Sequence, residues 1–166
     1  NMLELNMAII KETTKQLESA IKLDTDIILI DRSINDRQIW NYRRYLRKDI
    51  DEKTYLEAKE KYSKISSKLI DFLVITYADA IVSLKRDYNS SLALEKRTFL
   101  NTENINEYNN SLNALQELFN NSVKNFILLD TCYMNMDDVS IDIAEKIMIA
   151  MRQKYIDSFK EKYNLK

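Results

Sequence analysis

Residues Ile27–Trp40 read IILIDRSINDRQIW, and the fold turns on how that stretch is taken. Four aliphatic residues, Ile27–Ile30, run without a break into Asp31-Arg32-Ser33, and a second acid–base pair, Asp36-Arg37, follows about one helical turn later. The aliphatic run is too short for a helix and rich in β-branched residues. It reads as a strand buried on both faces, as in a parallel sheet. A helix is expected to follow from Asn35 to Arg47, with a break at Asp49–Asp51.

Working outward, Leu3, Met7, Ile10, Leu17 and Ile21 keep helical spacing and predict a helix over about residues 2–22, ended by Asp24-Thr25-Asp26. Downstream, Tyr55, Ala58, Tyr62, Ile65, Leu69 and Phe72 alternate steps of three and four and predict one long amphipathic helix to about Ile75. Ala80–Leu84 is a second strand candidate that runs into Lys85-Arg86-Asp87, and a shorter helix is expected over Leu92–Phe99. Ile105, Tyr108, Leu112, Leu115 and Phe119 mark another helix, and Phe126–Leu129 is a third strand, ending at Asp130-Thr131. From Ser140, the residues Ala144, Ile147, Met151, Tyr155 and Phe159 share a face of a terminal helix. Strands separated by helices pair in parallel through right-handed crossovers. The expected class is therefore α/β: a short parallel sheet of about three strands flanked by long helices, as one domain over residues 1–166.

The 166 residues are 45% hydrophobic and 31% charged, enough apolar material for one core. Lys+Arg of 25 against Asp+Glu of 26 gives a net charge of -1, so the chain is not a globally basic nucleic-acid binder. No run approaches the ~18 apolar residues of a membrane span, and no secretory leader opens the sequence. A lone Cys132 and the absence of His exclude an intrachain disulfide and a zinc cluster. A cytosolic location follows as the expectation. Gly 0 and Pro 0 stand against typical usages of about 7% and 5%. That depletion points to a fragment drawn from helical parts or to deliberate design, and it excludes a glycine-rich phosphate loop from this stretch.

In an open parallel sheet, ligands bind beyond the carboxyl ends of the strands, where helix N-termini converge. Asp31-Arg32-Ser33, Lys85-Arg86-Asp87 and Asp130-Thr131 would then meet on one rim. Helix capping is the plainer role for Asp31, Ser33 or Asn35, because their oxygens accept orphan backbone N–H groups. Capping does not account for Arg32, since a cation beside a helix N-terminus is unfavourable by roughly 0.3–1 kcal/mol. An anion, either Asp36 or a phosphate, would offset it.

A strand followed by Asp31-Arg32-Ser33 and a helix resembles the Asp/Glu-Arg-Ser signature of P-loop nucleoside and nucleotide kinases, especially deoxynucleoside and thymidylate kinases. The later stretch IVSLKRDYNSSLALEKRTFLN resembles the strand and arginine-bearing lid of that superfamily, and FILLDT its late strand. The resemblance covers roughly residues 5–155. It implies a phosphotransferase using ATP and Mg2+, with Asp31 near the metal and Arg32 near the transferred group. It further implies Arg86, Lys96 and Arg97 on the ATP phosphates, and Asp130 and Thr131 near the adenine. Ser33, Asp36, Arg37 and Trp40 would face a nucleoside or nucleotide acceptor. Phosphoryl transfer needs such cations because negative charge spreads over the equatorial oxygens.

The family's first strand and Walker A loop are not in these residues, so an N-terminally shortened or redesigned kinase-like domain, inactive by itself, is expected. A homodimer covering the exposed sheet edge would be its natural partner. The alternative is a non-catalytic α/β or mainly helical scaffold. Arg32, Arg37, Arg43, Arg44 and Arg47, interleaved with Trp40, Tyr42 and Tyr45, are open to two further readings: a single-strand nucleic-acid surface, or a solvated basic helix face with its aromatic rings in the core.

Overall fold

The computed structural model describes residues 2–25, 27–31, 34–91 and 101–165. In chain order the elements are α1 (Met2–Ala20), α2 (Ile34–Leu46), α3 (Glu52–Leu69), β1 (Phe72–Tyr77), α4 (Ala80–Ser91), α5 (Thr102–Ser122), β2 (Asn125–Asp130) and α6 (Met136–Tyr163). The chain divides into two compact units. One comprises Asn1–Leu73 and Asp79–Phe126, and the other Val74–Ala78 and Ile127–Lys166.

The first unit is helical. Asp51 caps α3, its Oδ1 accepting the Thr54 N–H at 2.7 Å, and Asn101 caps α5 in the same way through the Asn104 N–H at 2.8 Å. Such caps satisfy backbone donors that the first helical turn leaves unpaired. Helix α3 packs on α1, α2 and α5, while α5 also packs on α2 and α4. Ile10, Ile34, Ala58 and Tyr62 form one buried cluster, with Met7, Ile65 and Ile70 against it. Phe119 and Leu112 on α5 are equally buried.

Without glycine, the chain ends α2 with a lysine in the left-handed region, Lys48 at φ 61°. The Asp49 N–H donates to the Arg44 carbonyl at 2.9 Å and the Lys48 N–H to that of Tyr45 at 3.0 Å. This is the Schellman pair of bonds, normally built around glycine. Asn164 ends α6 in the same conformation, at φ 52° and ψ 37°.

Among the described residues the sheet holds two strands, β1 and β2, and they are parallel. The Asn125 N–H donates to the Asp71 carbonyl at 3.1 Å, and the Thr131 N–H to that of Tyr77 at 2.9 Å. Both bonds span the same sequence offset, as parallel pairing requires. In the second unit, Ile75 and Ala78 are buried, and α6 follows the loop after Thr131.

The broad α/β class holds, but the sheet differs from the expected three strands. Ile27–Ile30 forms no strand. Leu29 is 84% exposed, and the run pairs with no strand among the described residues. β-branched composition stabilises a strand only where a neighbour completes its hydrogen bonds. Ala80–Leu84 is the start of α4, with the Ser83 N–H donating to the Asp79 carbonyl at 2.9 Å. A short apolar run does not distinguish strand from helix by periodicity alone. Lys85 and Arg86 therefore lie inside a helix and not at a strand end. The strand is Phe72–Tyr77, where α3 was expected to continue. Phe72 keeps helical spacing with Leu69, yet Ile70 is already extended at φ -115° and ψ 113°. The expected helix over Leu92–Phe99 lies outside the described residues.

Candidate functional site

Helix α2 is unusual in what it buries. Ile34 and Ile39 are core residues, but Asn35, Gln38, Asn41 and Arg43 are buried as well. Asn35, Gln38 and Asn41 recur at steps of three and form a polar row turned inward. The Gln38 Nε2 and, from α3, the Ser66 Oγ both donate to Asn35 Oδ1 at 3.0 Å. Among the described residues Gln38 Oε1 is buried with no hydrogen-bond partner, and Asn41 Nδ2 and the Tyr62 hydroxyl have none beyond their contact with each other. Together with Tyr55, Lys59 and Leu115 these residues line one narrow interior gap. A buried polar atom left unpaired costs about 1–3 kcal/mol, so under-satisfied groups gathered around one gap call for a cause. Burial raises the Tyr62 phenol above its usual range, with a hydrogen bond from the Asn41 side chain acting in the opposite direction. Burial, with Tyr42 and Tyr45 close by, pushes the Tyr55 phenol up to about 12.

On its other flank α2 is clamped to α5. Arg43, 4% exposed, donates from Nη2 to Glu107 Oε2 at 2.9 Å, and its guanidinium lies 4.7 Å from the centre of the Trp40 ring. Arg47 donates from Nε to Glu107 Oε1 at 2.8 Å and pairs with Oε2 as well. Hydrogen bonds from Arg47 and then Arg43 hold the Glu107 carboxyl below its usual range. Beside this clamp lies a cleft of about 510 Å³ lined by Tyr42, Leu46, Glu103, Glu107, Asn110 and Ser111, among other residues. Its named lining carries carboxylates and amides but no cation, which suits a neutral ligand better than a phosphate.

The residues singled out in the sequence are distributed as follows. Asp31 is exposed just ahead of α2. Asp36 is half-buried in the first turn of α2, where its charge adds to the burial that pushes the Tyr108 phenol up to about 12. Arg37 and Trp40 are exposed on the same helix, and Arg86 is exposed on α4. Asp130 and Thr131 belong to the second unit. The Asp130 carboxylate accepts the Cys132 N–H at 2.9 Å, which holds it below the usual range, and Thr131 is buried with its hydroxyl donating to the Tyr77 carbonyl at 2.9 Å. Arg32, Ser33, Lys96 and Arg97 lie outside the described residues.

Among the described residues no group of three or more carboxylate or cysteine side chains is placed to hold a metal ion. Mg2+ is commonly held by one or two carboxylates plus substrate phosphates, so Asp31 fits only as a ligand shared with a nucleotide. Tyr62 entered the sequence reading as a core residue of α3, whereas Gln38 and Asn41 escaped it because polar residues on a helix are ordinarily solvated. The signal was their common face with Ile34. No described helix is long and apolar enough to cross a membrane. Comparison of the chain with protein-family models, curated proteins and solved structures returns no match.

Proposed function

We propose that the chain is a kinase-like domain that holds a nucleoside or nucleotide phosphate acceptor on α2, with Mg·ATP as the donor. The carrying observation is the inward polar row of α2, where Gln38 Oε1 stands unpaired and Asn41 Nδ2 and the Tyr62 hydroxyl have only each other. An acceptor, a donor and a hydroxyl able to do either complement the alternating carbonyl and N–H edge of a nucleobase. Gln38 lies about 6 Å along the helix axis from Ile34 at the N-terminus, close to the length of a nucleoside between its base and its 5′ carbon. The reactive end of such a ligand would thus point toward the N-terminus of α2, just ahead of which Asp31 lies. The parallel pairing of β1 with β2 through helical crossovers supports the same reading. Entry of a base requires α2 and α3 to part, since the gap is narrow. Transfer itself also needs a cradle for the β- and γ-phosphates, and these 166 residues contain no glycine to build a glycine-rich one. The proposal is therefore acceptor binding, without turnover by this chain alone.

Calorimetry with pyrimidine and purine nucleosides, their monophosphates and Mg·ATP tests this. Binding with a Kd of about 1–100 μM is expected, weakened at least about tenfold by Asn41→Leu, which keeps the volume and removes the donor. Absence of heat with any nucleoside or monophosphate at roughly millimolar concentration would sink the proposal.

A further inference from the structure

Helix α6 has 28 residues and none of them is buried. One side carries the half-buried Val139, Ile143, Ile147, Ala150 and Met151. Across from it, Ile141, Glu145, Met148, Arg152, Ile156 and Phe159 follow at steps of four, three, four, four and three, a single stripe on an α-helix. Its apolar members are open to solvent, Ile141 at 58%, Met148 at 69% and Phe159 at 47%. Exposed apolar side chains gathered on one face of a helix suit an interaction site.

The charges in the stripe indicate what covers it. Asp137 and Asp138 in the first turn and Lys160 and Lys162 in the last are explained by the helix dipole, whose effect fades within one turn. Glu145 and Arg152 lie more than two turns from either end, on the apolar face, and neither has an ion-pair partner among the described residues. They are opposite in sign and equidistant from a point between Met148 and Ile149.

We propose that α6 is a self-docking surface, on which α6 of a second copy of this chain lies antiparallel, with the two-fold axis between Met148 and Ile149. In that register Glu145 faces Arg152 of the second copy, and Arg152 faces its Glu145. Ile141 meets Ile156, Asp137 meets Lys160, and the helices overlap along nearly their whole length of about 42 Å. The three–four spacing is the one by which paired helices interdigitate, and a two-fold contact closes on itself. A parallel arrangement would set Glu145 against Glu145 and Arg152 against Arg152, so the same charges reject it.

The test is sedimentation equilibrium of the chain, under reducing conditions because of Cys132, beside E145R, R152E and the double swap E145R/R152E, with circular dichroism as the control for folding. The chain is expected to dimerise at micromolar concentration. Each single change, which opposes like charges twice, weakens the dimer at least about tenfold, and the double swap restores it. A monomer at about 100 μM would overturn the proposal, as would indifference to the single changes or a double swap no better than they are. The unaltered chain keeps the test decisive should a variant fail to fold.

Discussion

Arg43 on α2 and Glu107 on α5 are joined by a 2.9 Å hydrogen bond whose arginine is almost wholly buried while the carboxylate reaches partly into solvent. The pair fixes two helices that are 64 residues apart in sequence. Removing one partner leaves a buried charge without its counter-ion, which is costlier than the pair itself is stabilising. Glu107→Gln is expected to destabilise the first unit by roughly 2–4 kcal/mol. Denaturant titration followed by the fluorescence of Trp40, the only tryptophan, checks it, because that ring lies against Arg43.

The same pair sets a pH dependence. The Glu107 carboxyl titrates below its ordinary 4.5 in the folded chain, held down by Arg47 and Arg43. Its stabilisation is complete above the ordinary value, where the carboxylate is charged in both states, and is lost as pH falls through the lowered folded value. Stability of the first unit is therefore expected to be flat near neutrality and to fall in acid below about pH 4.5. In Glu107→Gln the acid slope should be shallower. An unchanged slope would show that other carboxylates carry it.

How much of this was legible in the sequence depended on which signal each residue gave. Tyr55, Ala58 and Tyr62 announced α3 because three helical repeats of a buried face are hard to produce otherwise. Its end was missed because Phe72 happens to keep the spacing, although the β-branched Val74-Ile75-Thr76 run marked the strand. Ile27–Ile30 looked like the better strand, yet pairing depends on a neighbour that no local pattern reveals. The polar row of α2 was hidden for a different reason. An Asn or Gln draws notice only when its side of the helix is read beside an apolar neighbour such as Ile34, whereas Arg32 and Asp36 drew notice through charge alone.

The poorly satisfied hydroxyl of Tyr62 offers a sharp contrast with the Phe119 ring of the core. Removing a buried hydroxyl whose one partner is the Asn41 amide takes away a desolvation penalty, gives up at most one weak hydrogen bond and creates almost no cavity. Tyr62→Phe is expected to leave stability within about 0.5 kcal/mol of the parent or to raise it. Phe119→Ala, at a residue 0% exposed, is expected to cost roughly 3–5 kcal/mol. Denaturant midpoints for the two variants decide the matter. A large loss in Tyr62→Phe would mean that the hydroxyl has a water or ligand partner in solution.

Lys48 presents the opposite case, a backbone position whose usual residue is missing from the whole chain. At φ 61° its side chain crowds the following carbonyl, a cost of roughly 1–2 kcal/mol that glycine avoids. Against this, glycine has more freedom to lose on folding, by about 0.5–1 kcal/mol. The carbonyls of Arg44 and Tyr45 keep their bonds in either case, because both donors are backbone N–H groups. Lys48→Gly is therefore expected to stabilise the first unit by up to about 1 kcal/mol, while the charge-matched Lys48→Arg changes nothing. A rise in the denaturant midpoint for glycine alone would identify backbone strain as the cause. A loss would mean that the lysine side chain does work at the end of α2 which its exposed position does not suggest.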